Sequence, residues 1–415
     1  MNLVEDLKAR GLVEHHSAEP EKIFSEKRTV YLGVDPSADS MQAGNLVVLL
    51  LMKRLADAGN NLVLLVGGGT GMIGDPRESG ERQLSDPRVV ARNSKAIRAQ
   101  MERIIGKRIH VVNNADWLLK IKLVDFLRDI GKHFTVNELV KRDIIRRRLE
   151  TPDESISYTE FAYSLLQGFD YLTLYQKYGV DLQIGASDQW TNILSGVELI
   201  RRKLGKEAFA FTCPLVTDSA GKKFGKSEGN AVWLDAAKTS PFAFYQFWLN
   251  QGDEMVEKYL KFYTFLPVEE IVALMQQHQQ APQAREAQKK LATEVTTLVH
   301  GAAAAAAAKK VSGVLYGSVL LGSLTVNEKR ELIANAPGAK IPRSTLSTTS
   351  VADTLVASGL ASSKGDARRL IEGKGVSLNG NLVEQADAML SAEQFSNDLA
   401  LLKRGKQVAV LSIEK

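Results

Sequence analysis

The chain is most informative first for what it has little of. It carries a single cysteine, Cys213, in 415 residues. That excludes an internal disulfide framework and fits a reducing, cytoplasmic setting. Cys213 lies between Phe211 and Pro214, a setting for a packed thiol rather than a nucleophile. The six histidines show no metal-ligand spacing, so no metal site is expected. No apolar run outside an alanine tract is long enough to cross a membrane, and the charged segment Met1–Arg10 resembles a surface helix rather than a leader. The net charge of +5 permits an anionic partner without demanding one. What remains is a folded chain, 44% hydrophobic, long enough for two or three domains.

Three stretches repeat one pattern, an apolar strand feeding a polar turn. Thr29–Val34 is an apolar run broken by Asp35-Pro36-Ser37, and a helix opens near Gln42, with Asp39 or Ser40 as its expected cap. Free N–H groups at such a helix start make an anion site, and Gly44 would let a flat ligand lie on the backbone. Asn61–Val66 is a second buried strand, running into Gly67-Gly68-Gly69 and then Asp75. Asp75 suits a cation or an ammonium group, or alternatively caps its own turn. Val180–Ala186 is the third, followed by Asp188 and Gln189. Three such turns point to a doubly wound parallel α/β sheet with a ligand crevice at its carboxyl edge.

The helix expected from Ser157 places Tyr163, Gln167 and Asp170 at i, i+4 and i+7, on one face. A polar stripe on an otherwise apolar helix needs partners, and a bound polar ligand can supply them. Lys141–Arg148 forms a basic helix face, solvated by default. Lys223-Phe224-Gly225-Lys226-Ser227 carries two lysines three apart, able to close over a polyphosphate and neutralise developing charge. Beyond residue 240 the pattern is helical. Residues 322–348 are expected as a linker and 349–415 as a small separate domain. In that tail eight Lys/Arg balance eight Asp/Glu, yet Lys364, Arg368, Arg369 and Lys374 cluster, as do Lys403, Arg404 and Lys406. The clusters suit an RNA-binding face, or an ordinary mixed surface.

Taken in order, YLGVDPSADSMQAGN, GGGTGMIGDP, IGKHFTVN, ISYTEFAYSLLQGFDYL, LQIGASDQW, KFGKS and AVWLD resemble the motifs of bacterial tyrosyl-tRNA synthetases, over essentially the full length. The resemblance implies a Rossmann-like catalytic domain over 1–235, with an inserted dimer-forming segment at about 115–160. A helical domain at 236–321 and a C-terminal α+β RNA-binding domain at 349–415 follow. It implies activation of L-tyrosine by ATP and transfer to tRNA(Tyr) by a homodimer, with Mg²⁺ accompanying ATP and no protein ligand for it.

By motif, Tyr31 and Asp170 meet the phenol. Asp75, Tyr163 and Gln167 hold the ammonium, and Gln189 lies near the carboxylate. Gly33, Asp35, Gly44, Gly185 and Asp188 line the nucleotide, with Lys226 beside it. Ser37, Gln42, Asn45, Arg82, Lys223 and Lys226 serve the departing pyrophosphate. The chain departs from the family at its His-Ile-Gly-His signature, which reads Gln42-Ala43-Gly44-Asn45. Ala186 stands for a glycine near the ribose and Leu32 for a common cysteine. A competing reading is therefore a synthetase-like RNA-binding protein with weakened adenylation.

Overall fold

The structure is a computed structural model that describes residues 1–76, 84–106, 109–218, 224, 226–227, 230–316, 319–405 and 407–414; at 143, 226, 227 and 230 the description stops at the backbone. It divides into two compact units, residues 1–239 with 251–291, and residues 240–250 with 292–415.

The first unit is built on a six-stranded sheet. Its strands are β1 (His15–His16), β2 (Thr29–Val34), β3 (Asn61–Val66), β4 (His110–Asn113), β5 (Leu182–Ala186) and β6 (Phe209–Cys213), in the order β1-β6-β5-β2-β3-β4. β2 to β6 pair in parallel, and β1 closes one edge antiparallel to β6. From β2 the chain builds outward through β3 and β4. From β5 it builds the other way through β6. The order therefore reverses between β2 and β5, and a crevice opens at their carboxyl ends. The continuous apolar character of β3 and β6 follows from burial on both faces.

Helices cover the sheet. Ala43–Asp57 follows β2, Pro87–Ile105 follows β3, and Tyr158–Tyr178 leads into β5, with Trp190–Leu204 after it. The helix Ala43–Asp57 is capped by Gln42, whose N–H donates to Asn45 Oδ1 at 3.1 Å. Neither expected cap serves. Asp39 is engaged by Lys238 Nζ at 2.7 Å, and Ser40 Oγ donates to the Met41 carbonyl. β4 extends the sheet from a stretch with no clear strand signal. Cys213 is buried at the end of β6, its thiol pushed up to about 12 by burial, as befits a packed side chain. Arg148 departs from the solvated-face expectation: it is buried against Glu160 at 2.8 Å. Between β6 and residue 235, Lys226–Ser227 (β7) and Asn230–Ala231 (β8) pair antiparallel.

In the second unit, Pro241–Leu249 packs with Ala302–Leu315, and the latter with Val326–Asn335. A five-stranded sheet follows: β9 (Gly338–Pro342), β10 (Val376–Leu378), β11 (Asn381–Leu382), β12 (Leu399–Arg404) and β13 (Gln407–Glu414), in the order β11-β10-β12-β13-β9. Asn379 and Gly380, both at positive φ, form the expected hairpin turn. The stretch 322–348 is not a linker. It holds the helix Val326–Asn335 and β9, which supplies an edge of the sheet by pairing with β13. The alternation of Ala339 and Ile341 into the core drives that addition, a pattern hidden by the surrounding Gly, Pro and Ser. The helices expected as one domain at 236–321 divide between the units, Asp253–Tyr263 and Val268–Gln280 falling in the first. Among the described residues no helix is long and apolar enough to cross a membrane.

Candidate active site

The crevice at the β2/β5 switch is a cavity of about 270 Å³. It is lined by Tyr31, Gly33, Asp35 and Ser37 after β2, and by Gly44 and Asn45 at the following helix start. Asp75, Tyr163, Gln167 and Asp170 also line it, as do Gly185, Asp188 and Gln189 after β5. One wall thus gathers nearly all the sequence-expected residues from five separate stretches. Gln42 is half-buried beside Asn45, outside the lining set. Arg82 and Lys223 fall outside the described residues. Lys226 lies in β7, with its side chain outside the description.

The closed end is polar and buried. Tyr31 is fully buried, its ring 5.0 Å from Tyr171, and its hydroxyl meets no hydrogen-bond partner among the described residues. Burial, and then the neighbouring Asp170 charge, raise that phenol well above its ordinary value. Asp170 is 2% exposed. Its Oδ1 accepts from Trp117 Nε1 at 2.7 Å and its Oδ2 from Asn114 Nδ2 at 2.9 Å. Burial pushes Asp170 up to about 7, while those two donors pull it down. Asn114 is itself fixed, accepting from the Gly69 N–H at 2.7 Å and donating to Thr70 Oγ1 at 2.9 Å. Thr70 Oγ1 donates to Asp35 Oδ1 at 2.7 Å, and Tyr163 donates from its hydroxyl to Asp35 Oδ2 at 2.8 Å. A side chain at Gly67 would overlap that Asp35 carboxylate, which is what the glycine turn accommodates.

Asp75 reaches across to the helix that follows β5. It accepts from Gln189 Nε2 at 2.9 Å and Asn192 Nδ2 at 3.0 Å, across from the start of the helix Trp190–Leu204. Thr70, Asn114, Trp117 and Asn192 were not singled out from the sequence as site residues. Only the fold brings Asn114 and Trp117, from the turn after β4, under Asp170.

Phe224 lies against the start of the helix Ala43–Asp57. It is buried, its ring tilted against those of Tyr259 at 4.7 Å and Tyr263 at 5.9 Å, and its N–H donates to the Val216 carbonyl at 3.0 Å. Its carbonyl oxygen would lie 2.6 Å from a Cβ at Gly44, so the signature glycine admits the loop's backbone. The segment 232–234 is bonded along the helix start, Ala43 N–H to Val232 O at 2.8 Å and Leu234 N–H to Met41 O at 2.9 Å. Lys238 joins Asp39 and lies over the Trp233 ring at 5.1 Å. Phe224, which lies between Lys223 and Lys226 in the sequence, is thus packed in place.

In the second unit, Arg368 is exposed, Lys374 is exposed at positive φ, and Lys403 is half-buried. Lys364 pairs with Asp353 at 2.6 Å, Arg369 lies 3.7 Å from Asp366, and Arg404 donates to the Leu360 carbonyl at 2.7 Å. Lys406 falls outside the described residues.

Residues 25–316 match the family described as tRNA synthetases class I (W and Y), and residues 329–411 match the tyrosine–tRNA ligase SYY-like C-terminal domain. The chain is 44% identical over 414 residues to the tyrosine–tRNA ligase of Leuconostoc mesenteroides subsp. mesenteroides, covering 98% of each. It is 43% identical over 415 residues to that of Dechloromonas aromatica, covering 98% of this chain and 97% of the relative. Among solved structures, a C-terminally truncated mitochondrial tyrosyl-tRNA synthetase from Aspergillus nidulans superposes with a TM-score of 0.67 at 31% identity. It covers 74% of this chain and 92% of that one.

Proposed function

The chain belongs to the class I tyrosyl-tRNA synthetases, and from that premise we infer how its pocket works as a tyrosine–tRNA ligase. In the first step a tyrosine carboxylate oxygen attacks the α-phosphorus of ATP. A new P–O bond forms, the bond to pyrophosphate breaks, and tyrosyl-adenylate results. In the second step the terminal ribose hydroxyl of tRNA(Tyr) attacks the activated carbonyl and AMP leaves.

The observation that carries the reading is the buried Tyr31 hydroxyl beside Asp170 at the closed end of the pocket. A substrate phenol there accepts from Tyr31 and donates to Asp170, whose orientation Asn114 and Trp117 hold. Phenylalanine leaves the Tyr31 hydroxyl buried and without a partner among the described residues, and sets an apolar ring edge against the buried Asp170 carboxylate, the costly case. Nearer the mouth, Asp75, Tyr163 and Gln167 receive the ammonium, and Gln189 the carboxylate. Asp188, exposed at the end of β5, takes the ribose. Gly33, Asp35, Gly44 and Gly185 line the nucleotide. Ser37, Gln42, Asn45, Arg82, Lys223 and Lys226 stabilise charge on the departing pyrophosphate, the largest catalytic contribution such a site can make.

Magnesium accompanies the nucleotide's phosphates; among the described residues no group of three His, Cys, Asp or Glu side chains gathers to hold an ion. Exposed Leu119, Leu123, Val124 and Val136 in the 115–160 segment support a homodimer through that face. The tail binds tRNA, with Arg368 and Lys374 more available to phosphate than Arg404, which holds Leu360.

Tyrosine-dependent ATP–pyrophosphate exchange on the full chain tests the reading, with phenylalanine as control. Exchange with tyrosine alone is expected. Tyrosine binding without exchange would favour an RNA-binding protein whose altered signature no longer supports adenylation.

A further inference from the structure

One network leads to Asp75 and Gln189 from residues given no role above. Arg142, half-buried just before the helix Asp143–Glu150, donates from Nη2 to Ser195 Oγ at 2.7 Å. Ser195 is 4% exposed, and its hydroxyl donates to the Thr191 carbonyl at 3.1 Å. One turn earlier on the same helix, Asn192 Nδ2 donates to Asp75 Oδ1 at 3.0 Å and reaches Gln189 Oε1 at 3.3 Å. Gln189 Nε2 completes the clamp on Asp75 Oδ2 at 2.9 Å. The contacts run without a break from the 115–160 segment, through the first turns of the helix Trp190–Leu204, to the carboxylate assigned to the substrate ammonium.

We propose that Arg142 is a positioning residue for the amino-acid ammonium site, fixing through Ser195 the helix turn whose Asn192 and Gln189 side chains aim the Asp75 carboxylate. The inference rests on the assignment of Asp75 made above. Two effects of Arg142 have opposite signs. Its charge repels an incoming ammonium, so as a bare cation it would weaken tyrosine binding and its removal would strengthen it. As a clamp, its removal weakens binding. The guanidinium donates to Ser195, and Asp75 accepts from Asn192 on that helix and from Gln189 at its N-cap, so orientation dominates. Burial lowers the Arg142 guanidinium to about 10, with Asp75 and then Glu138 opposing the fall. A charge held in that setting is fixed in place rather than solvated.

The test separates ammonium recognition from general damage. Dissociation constants are measured on the full chain for three ligands. L-Tyrosine has all three groups, tyrosinol keeps the ammonium but lacks the carboxylate, and 3-(4-hydroxyphenyl)propionate keeps the carboxylate but lacks the ammonium. Arg142→Met and Ser195→Ala should weaken tyrosine and tyrosinol by about tenfold while the propionate changes less than about twofold, the scale of one oriented hydrogen bond. Arg142→Lys, which keeps a donor towards Ser195, should restore part of the loss. If Arg142→Met does not fold, Ser195→Ala carries the same comparison with the cation retained. Equal weakening of all three ligands, or tyrosine binding unchanged or tightened, overturns the proposal. If the unaltered protein already binds the propionate as tightly as tyrosine, the Asp75 assignment itself is wrong, and the proposal falls with it.

Discussion

Replacing Tyr31 by phenylalanine should make the ligand-free protein more stable and the enzyme less selective. The Tyr31 hydroxyl is solvent-inaccessible and lacks a hydrogen-bond partner among the described residues. A buried hydroxyl in that state costs about 1–3 kcal/mol, and Tyr31→Phe removes the polar atom while keeping the ring against Tyr171. A gain of about 1 kcal/mol is expected, raising the melting temperature by roughly 2 °C for a unit of this size. Binding runs the other way. With substrate present the hydroxyl donates to the phenol oxygen, and losing that bond costs about 0.5–1.5 kcal/mol, or roughly two- to tenfold in kcat/KM for tyrosine. Phenylalanine makes no bond there, so its kcat/KM should hold or rise. Calorimetry without ligand and pyrophosphate exchange with both amino acids read the two effects. A lower melting temperature together with unchanged selectivity would refute the reasoning, because the hydroxyl would then be satisfied in the free protein and idle towards substrate.

The remaining expectations follow from single contacts. Asp170, raised by burial to about 7 from an ordinary 3.8, binds its proton more tightly folded than unfolded. On this group alone the ligand-free fold is penalised above about pH 7 and relieved as pH falls towards 4, whereas tyrosine binding, which needs the carboxylate, weakens as pH falls through 7. Asp170→Asn should remove that inflection from the pH profile of kcat/KM. Gly44→Ala places a methyl where the Phe224 carbonyl oxygen lies 2.6 Å away, so pyrophosphate exchange should fall by about a hundredfold or more while tyrosine binding, measured by equilibrium dialysis, is unchanged. Arg148→Met strands the buried Glu160 carboxylate and should destabilise the fold by about 3–5 kcal/mol in denaturant unfolding, while Arg148→Met with Glu160→Gln recovers much of the loss.

The legible part of this protein was the part in which local pattern and tertiary role coincide. β2, β3 and β5 are apolar runs ending in polar turns, and their carboxyl ends bracket the pocket. The stripe Tyr163, Gln167 and Asp170 showed itself as polarity at helical spacing on an apolar helix. β4 and β9 were less legible. His110–Asn113 is four residues with a polar residue at each end, stabilised by pairing with β3 rather than by its own alternation. Gly338–Pro342 is an edge strand within a stretch of turn-forming residues. Asn114, Trp117 and Asn192 could not be picked out, since their importance lies in what they hold. An asparagine at the start of a helix is ordinary until the fold sets Asp170 against it.

The altered signature is the remaining puzzle, and the helix start answers much of it. The Gln42 N–H donates to Asn45 Oδ1 at 3.1 Å, and the Asn45 N–H donates back to the Gln42 carbonyl at 2.9 Å. Asn45 therefore uses its acceptor on the helix cap and keeps Nδ2 as a donor at the wall of the pocket it lines. A neutral histidine has the same inventory, one ring nitrogen accepting and the other donating. The asparagine reproduces that division of labour where the family carries its second histidine. Asn45→Asp separates the two duties, for it keeps the cap acceptor and replaces the donor with a negative charge facing the phosphates. Thermal stability and tyrosine binding should be retained, while exchange falls by about 10²–10³-fold, the scale of losing one transition-state donor. Asn45→His should stay within about tenfold of the unaltered protein, since the donor is conserved. Full exchange activity in Asn45→Asp would mean that the amide nitrogen does not reach the phosphates, and that Gln42 and the loop lysines carry the charge without it.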